Sequence, residues 1–111
     1  MPRDYRIYLE DMREAGEKIM RYAEGLSFET FSADEKTVDA VVRNLEILGE
    51  AAKQVPDFVR SAHPQADWYR IAGLRDILIH QYFGIDLAII WDVIQNKLPS
   101  LLQEIDHILS A

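Results

Sequence analysis

Val38-Asp39-Ala40-Val41-Val42-Arg43-Asn44-Leu45-Glu46-Ile47-Leu48-Gly49-Glu50-Ala51-Ala52-Lys53-Gln54-Val55-Pro56 is the stretch whose reading decides the fold. Val38, Val41, Leu45, Leu48, Ala52 and Val55 recur three and four residues apart, the spacing that draws one apolar stripe along an α-helix. A strand would need apolar residues at every second position, and no such run of useful length occurs anywhere in the chain. Ser32 and Glu35, three apart, predict a capping box at the start of this helix. Pro56 predicts its end, because proline lacks an amide proton and disfavours helical geometry in the residue before it.

The same spacing extends outward in both directions. Tyr5, Tyr8, Met12, Ala15, Ile19, Tyr22 and Leu26 predict a first helix of about six turns, with Asp4 as N-cap and Gly25 as stop. Residues 56–66 read as a connector with one short helical turn around Asp57-Phe58-Val59-Arg60. Asp67 then caps a third helix from Trp68 to about Tyr82, terminated by Gly84. Asp86 caps a fourth, carrying Leu87, Ile90, Trp91 and Ile94, and Pro99 begins or kinks a last segment with Leu101, Leu102, Ile105, Ile108 and Leu109. With no internal repeat and no low-complexity tract, the expectation is all-α: an up-and-down bundle of four to five helices forming a single domain over residues 1–111.

Composition narrows the function classes. The 49% hydrophobic and 28% charged content is that of an ordinary globular chain, and 111 residues suffice for one core. The absence of cysteine excludes disulfides, a thiolate nucleophile and thiolate metal sites. No apolar run approaches the ~18 residues needed to cross a bilayer, so a cytoplasmic protein without membrane attachment is expected. The formal net charge of -7, from 19 acidic residues against 12 lysines and arginines, argues against holding nucleic acid by broad electrostatic attraction. Any RNA contact has to be local, at a small cluster of arginines, and a basic partner protein suits the balance better.

Against that background Arg75-Asp76-Ile77-Leu78-Ile79-His80-Gln81-Tyr82 stands out, because it sets an arginine, a histidine and a tyrosine in one of the most apolar segments of the chain. Burying a cation or an imidazole is costly unless it is paired, so such groups are candidates for working parts. At 100° per residue from Trp68, Arg75 falls near about 340° and Tyr82 near about 320°, in the sector of Ile71 and Ile79. Asp76, His80 and Gly73 fall near about 80°, 120° and 140° and form a separate narrow strip. Asp76 and His80, four apart, can meet, and a carboxylate there orients the ring and favours its protonated form. Leu74, Ile77 and Leu78 fill much of the remaining circumference, which places the helix at the centre of the bundle or at a subunit interface.

A histidine moves protons near neutral pH, and an arginine offers a planar positive fork to phosphate oxygens. Together, without a metal, they suit cleavage of an RNA phosphodiester by its own 2'-hydroxyl, with arginine stabilising the phosphorane-like transition state. The substrate then supplies the nucleophile, which fits a chain with no cysteine and no serine beside a convincing base. The structural readings stand beside this one: a histidine near a helix end is commonly a satisfied structural residue, and an arginine on a seam commonly pairs with a neighbouring helix. His63, before a proline, reads as loop chemistry, and His107, among Glu104 and Asp106, as solvated. Trp68 and Trp91 read as core or interface anchors.

Arg75, His80 and Tyr82 form an R-x4-H-x-Y motif, and with it the chain resembles the HepT-like ribonuclease toxins of the HEPN group. Val42 to Lys53 is similar to that family's second-helix signature, Trp68 to Asp86 to its motif helix and exit turn, and nearly the whole chain is covered. The resemblance implies a homodimeric endoribonuclease that needs no metal or other cofactor, with Arg75 and His80 of both subunits meeting in a composite site. It also implies a minimal nucleotidyltransferase antitoxin as partner, which attaches AMP to Tyr82 and so blocks RNA with bulk and negative charge. Asp76 departs from the asparagine common at that position; it keeps an acceptor and adds a charge that opposes RNA. A second reading, favoured by Asp76 and the acidic balance, is a catalytically weak helical module that binds a nucleotide or the nucleotidyltransferase and regulates it. The intact arginine, histidine and tyrosine favour the nuclease.

Overall fold

The computed structural model describes residues 4–80 and 86–110, with the backbone alone at 75–77, 79 and 80; Tyr82 and Gly84 lie outside the described residues. The order is α1 (Arg6–Ala23), α2 (Phe28–Ala33), α3 (Glu35–Gln54), α4 (Asp57–Ala62), α5 (Trp68–His80), α6 (Leu87–Asp92), a π-helical segment (Val93–Lys97) and α7 (Leu98–Ser110). Among the described residues there is no strand, so the all-α expectation holds. Four long rods form the bundle: α1, α3, α5, and the run from α6 through the π segment to α7. Two six-residue helices, α2 and α4, bridge them.

α3 is the central rod, with α1 packed along it on one side and α5 on another, while α7 closes onto α1. Its buried residues therefore include Val41, Val42, Asn44, Leu45, Leu48, Gly49, Ala51 and Ala52, which by register cover about half its circumference rather than one stripe. Asn44, 8% exposed, is the one buried polar residue among those described, and its side-chain amide donates to the Ala40 carbonyl oxygen at 2.9 Å. The amide is thus used within its own helix. Leu9, Met12, Ile19, Leu45, Leu48, Ile94, Leu98 and Ile105 are essentially inaccessible to solvent. Each such side chain contributes roughly 1.5–3 kcal/mol of apolar transfer free energy.

The observed face of α1 differs in detail from the predicted one. Its buried residues are Leu9, Met12, Ala15, Gly16, Ile19 and Ala23, whereas Tyr22 is 40% exposed and Leu26 lies beyond the helix end. A strict seven-residue repeat drifts by about 20° per heptad on a straight helix of 3.6 residues per turn, so by the third repeat the inward position has moved from 22 to 23. The N-cap of α1 is Tyr5 and not Asp4, although the Asp4 carboxylate, one residue earlier, accepts from the Arg6 amide at 3.0 Å. Gly25 adopts φ +78, a left-handed conformation that costs glycine little, and the chain turns there into α2. Gly16 serves closeness instead: a Cβ built on it would stand 2.6 Å from Cδ2 of Leu102, so α7 can approach α1 because no side chain intervenes.

A further helix boundary corrects the sequence reading. The capping box is not Ser32–Glu35 but Ser27–Thr30, where the Ser27 side chain accepts from the Thr30 amide and Thr30 accepts from the Ser27 amide. Asp34 caps α3, accepting from the Thr37 amide at 3.2 Å and its hydroxyl at 2.8 Å. Phe31, fully buried and set at 5.1 Å centroid distance against Trp91, fixes this extra helix on the bundle and leaves Ser32 inside it with an unpaired buried hydroxyl oxygen. Pro99 stands in the first turn of the last helical segment, α7, which begins at Leu98, as its sequence position predicted. Proline cannot donate to the preceding turn and its ring crowds the carbonyl four residues back; the helix widens to π geometry over Val93–Lys97 just before it and continues. The 56–66 connector carries more than a turn, since α4 runs from Asp57 to Ala62 and buries Val59. No helix among the described residues is long and apolar enough to cross a membrane.

Candidate active site

α5 carries the residues singled out in the sequence, and its first turn is fixed from three directions. Asp67 accepts from the Arg70 amide at 3.3 Å and sits 3.2 Å from the Arg70 guanidinium, which is the predicted cap. Trp68 is 6% exposed and its indole N–H donates to the His63 carbonyl oxygen at 2.9 Å. That carbonyl also accepts from the Ala66 amide at 3.3 Å, so the Pro64 loop is closed onto the helix start. Trp68 is the core anchor it was read to be, and Trp91, half-buried against Phe31, is another.

His63 does more than turn a loop. Its Nδ1 lies 3.1 Å from Oε1 of Glu104 on α7, and its ring meets that of His107 edge-on at 6.2 Å. The loop before α5 is therefore pinned to the last rod by a pair 41 residues apart in sequence, a contact no local pattern could have revealed. His107 is exposed, as expected. Among the described residues no group of three or more acidic or histidine side chains is arranged to hold a metal ion.

By register, α5 presents two sides. Trp68, Ala72 and Leu78 are buried and Ile71 is half-buried, and Arg75 shares their sector at about 340°. Tyr69 is 88% exposed, and Gly73 is half-buried, with no side chain of the described residues within 4 Å of a Cβ built on it. These two open the strip that Asp76 and His80 continue at about 80° and 120°. The backbone thus brings all three α5 candidates onto one rod, with Arg75 in register with the packed side and Asp76 and His80 in register with an open one. The side chains of Arg75, Asp76 and His80, and Tyr82 entire, lie outside the described residues.

A groove of the described surface lies elsewhere, between α1 and α3, lined by Tyr8, Asp11, Arg43, Glu46, Ile47, Glu50, Ala51 and Gln54. Asp11, Glu46 and Glu50 line it beside Arg43, whose guanidinium stands 4.0 Å from Glu46. The family-signature residues Arg43 and Glu50 are therefore surface groups of α3, while Asn44, Leu45 and Leu48 are core.

Comparison with known proteins falls on this architecture. A family model described as Ribonuclease HepT-like matches residues 12–108. The chain is 44% identical over 101 residues to "Probable ribonuclease HepT" of Thermococcus cleftensis, covering 91% of this chain and 92% of the relative. It is 43% identical over 110 residues to a candidate RNase of Methanocaldococcus jannaschii (98% and 91%), and 42% identical over 104 residues to one of Caldanaerobacter subterraneus (94% and 93%). No solved structure matches the chain significantly.

Proposed function

Because the chain belongs to the HepT-like ribonuclease family, we propose that it is an endoribonuclease toxin whose site is built by Arg75 and His80 of α5. The observation that carries this reading is that the family match runs through residues 75–82 and that Arg75, His80 and Tyr82 are all present there. In the proposed reaction the 2'-oxygen attacks the adjacent phosphorus, the bond from phosphorus to the 5'-oxygen breaks, and a 2',3'-cyclic phosphate and a 5'-hydroxyl result. One proton leaves the 2'-hydroxyl and one reaches the 5'-oxygen. Two copies of His80, brought together in a homodimer, serve as base and acid, a role worth about 10²–10⁴ in rate. Arg75 stabilises the charge of the pentacoordinate phosphorus, worth about 10²–10³.

The partner in this reading is a minimal nucleotidyltransferase antitoxin that transfers AMP from ATP to the Tyr82 hydroxyl, releasing pyrophosphate. The added phosphodiester places negative charge two residues beyond His80, where it competes with RNA phosphate for the arginine. The test uses partner-free protein in chelator. An oligoribonucleotide should be cut to cyclic-phosphate ends, and a 2'-deoxy substitution at the scissile nucleotide should stop the cut there. Cleavage that survives the substitution contradicts the mechanism, and no cleavage at all contradicts the function. Coexpression with the transferase should add the mass of AMP to the peptide carrying Tyr82; full neutralisation without that mass rules the modification out.

A further inference from the structure

Tyr69 is the most exposed large hydrophobic side chain among the described residues, yet it stands on the first turn of a helix whose start is held by the Asp67 cap and the Trp68 indole bond. Tyr69, Gly73, Asp76 and His80 follow one another at spacings of four, three and four, so they share one strip of α5. The strip runs ~16 Å along the axis from Tyr69 to His80 at 1.5 Å per residue. Gly73 at its middle is unexplained by the fold. A mid-helix glycine costs about 1 kcal/mol relative to alanine, and among the described residues nothing within 4 Å of its built Cβ needs the room. Gly16, by contrast, is required by Leu102. Among the described residues nothing occupies the space over Gly73.

We propose that Tyr69 is a base-stacking platform for single-stranded RNA, and that Gly73 lets the strand lie against α5 between that base and His80. The proposal rests on the nuclease reading and adds to it a residue that positions substrate within a few nucleotides of the cut. Stacking on an aromatic ring needs no cation and tolerates every base. It is the mode of RNA contact open to a chain of net charge -7, which cannot hold the strand by phosphate contacts alone. A rigid, helix-borne phenol presents its face without the ordering cost that a loop tyrosine would incur.

The experiment measures binding of a fluorescein-labelled single-stranded oligoribonucleotide to the His80→Ala chain, which cannot cleave it, alone and combined with Tyr69→Ala, Tyr69→Phe or Gly73→Leu. Tyr69→Ala and Gly73→Leu should each weaken binding by roughly 5- to 100-fold, and Tyr69→Phe by no more than about twofold, because the ring and not the hydroxyl is used. In the active chain the same losses should fall on KM rather than kcat. Unchanged affinity in Tyr69→Ala overturns the proposal. So does a Tyr69→Ala or Gly73→Leu chain with altered sedimentation mass, since the strip is then covered by a second copy of the protein. Tyr69-dependent binding in a wild-type chain that never cleaves would sink the nuclease reading and leave the stacking site standing.

Discussion

Replacing Trp68 with phenylalanine tests how α5 is held in place. The indole N–H bond to the His63 carbonyl is lost, worth about 0.5–1.5 kcal/mol net, and no more, because the Ala66 amide still serves that oxygen. Trp68 is 6% exposed, so the smaller ring also leaves a void that adds about 1–2 kcal/mol. The expected loss is therefore about 1.5–3.5 kcal/mol, a fall in Tm of about 6–14 °C for a domain of this size. Urea unfolding followed by circular dichroism at the helix band measures it, with unchanged slope as the sign that the end states are the same. Tyr69→Ala, one residue along the same helix but 88% exposed, is the control and should stay within about 0.5 kcal/mol of wild type. A Trp68→Phe loss below about 1 kcal/mol would refute the claim that this ring and its carbonyl partner fasten the start of α5.

Two glycine-to-alanine changes should have opposite signs. Gly16→Ala sets a methyl 2.6 Å from Cδ2 of Leu102 and should destabilise, since overpacking of about 1–3 kcal/mol outweighs the helix-propensity gain of about 1 kcal/mol; a double-mutant cycle with Leu102→Ala should show coupling above about 0.5 kcal/mol. Gly73→Ala meets nothing among the described residues and should raise stability by about 0.5–1 kcal/mol in thermal unfolding; a loss there would mean the space is filled. The Asp34 carboxyl is held below its ordinary 3.8, first by the Thr37 hydroxyl and then by backbone amides. A depressed carboxylate contributes stability that is present above the unfolded value and disappears as pH falls through the folded one. Asp34→Ala should accordingly lower Tm at neutral pH, and the gap should close in acid; a gap of equal size at both ends would remove the carboxylate from the account. The Ser27→Ala cap change should destabilise by about 0.5–2 kcal/mol, whereas Ser32→Ala, which only removes an unpaired buried hydroxyl, should be neutral or stabilising in the same assay.

The long rods were legible because their apolar spacing is dense and acidic residues stand at their caps or, for Asp4, one residue earlier: Asp4, Asp67 and Asp86 all accept from amides of the turn that follows. The boundary at Ser32 was misread because the S-x-x-E pattern is satisfied there on paper, while the burial of Phe31 against Trp91 selects Ser27 and Asp34 instead. Tyr22 was misplaced by a seven-residue repeat laid on a 3.6-residue helix. At the site, the motif residues could be seen in sequence because arginine and histidine are anomalous in an apolar run. The His63–Glu104 tie could not, as it joins elements that meet only in the folded bundle. Tyr69 gave no signal either, because an aromatic in a helical pattern reads as core until its exposure is known.

The measurement that bears most directly on the central claim is cleavage of RNA by the partner-free protein in chelator, wild type beside Arg75→Ala and His80→Ala. The wild type should cut, and each variant should lose about 10²-fold or more while keeping the fold and oligomeric mass of the parent. Undiminished cutting by either variant would contradict the assignment of the site to α5.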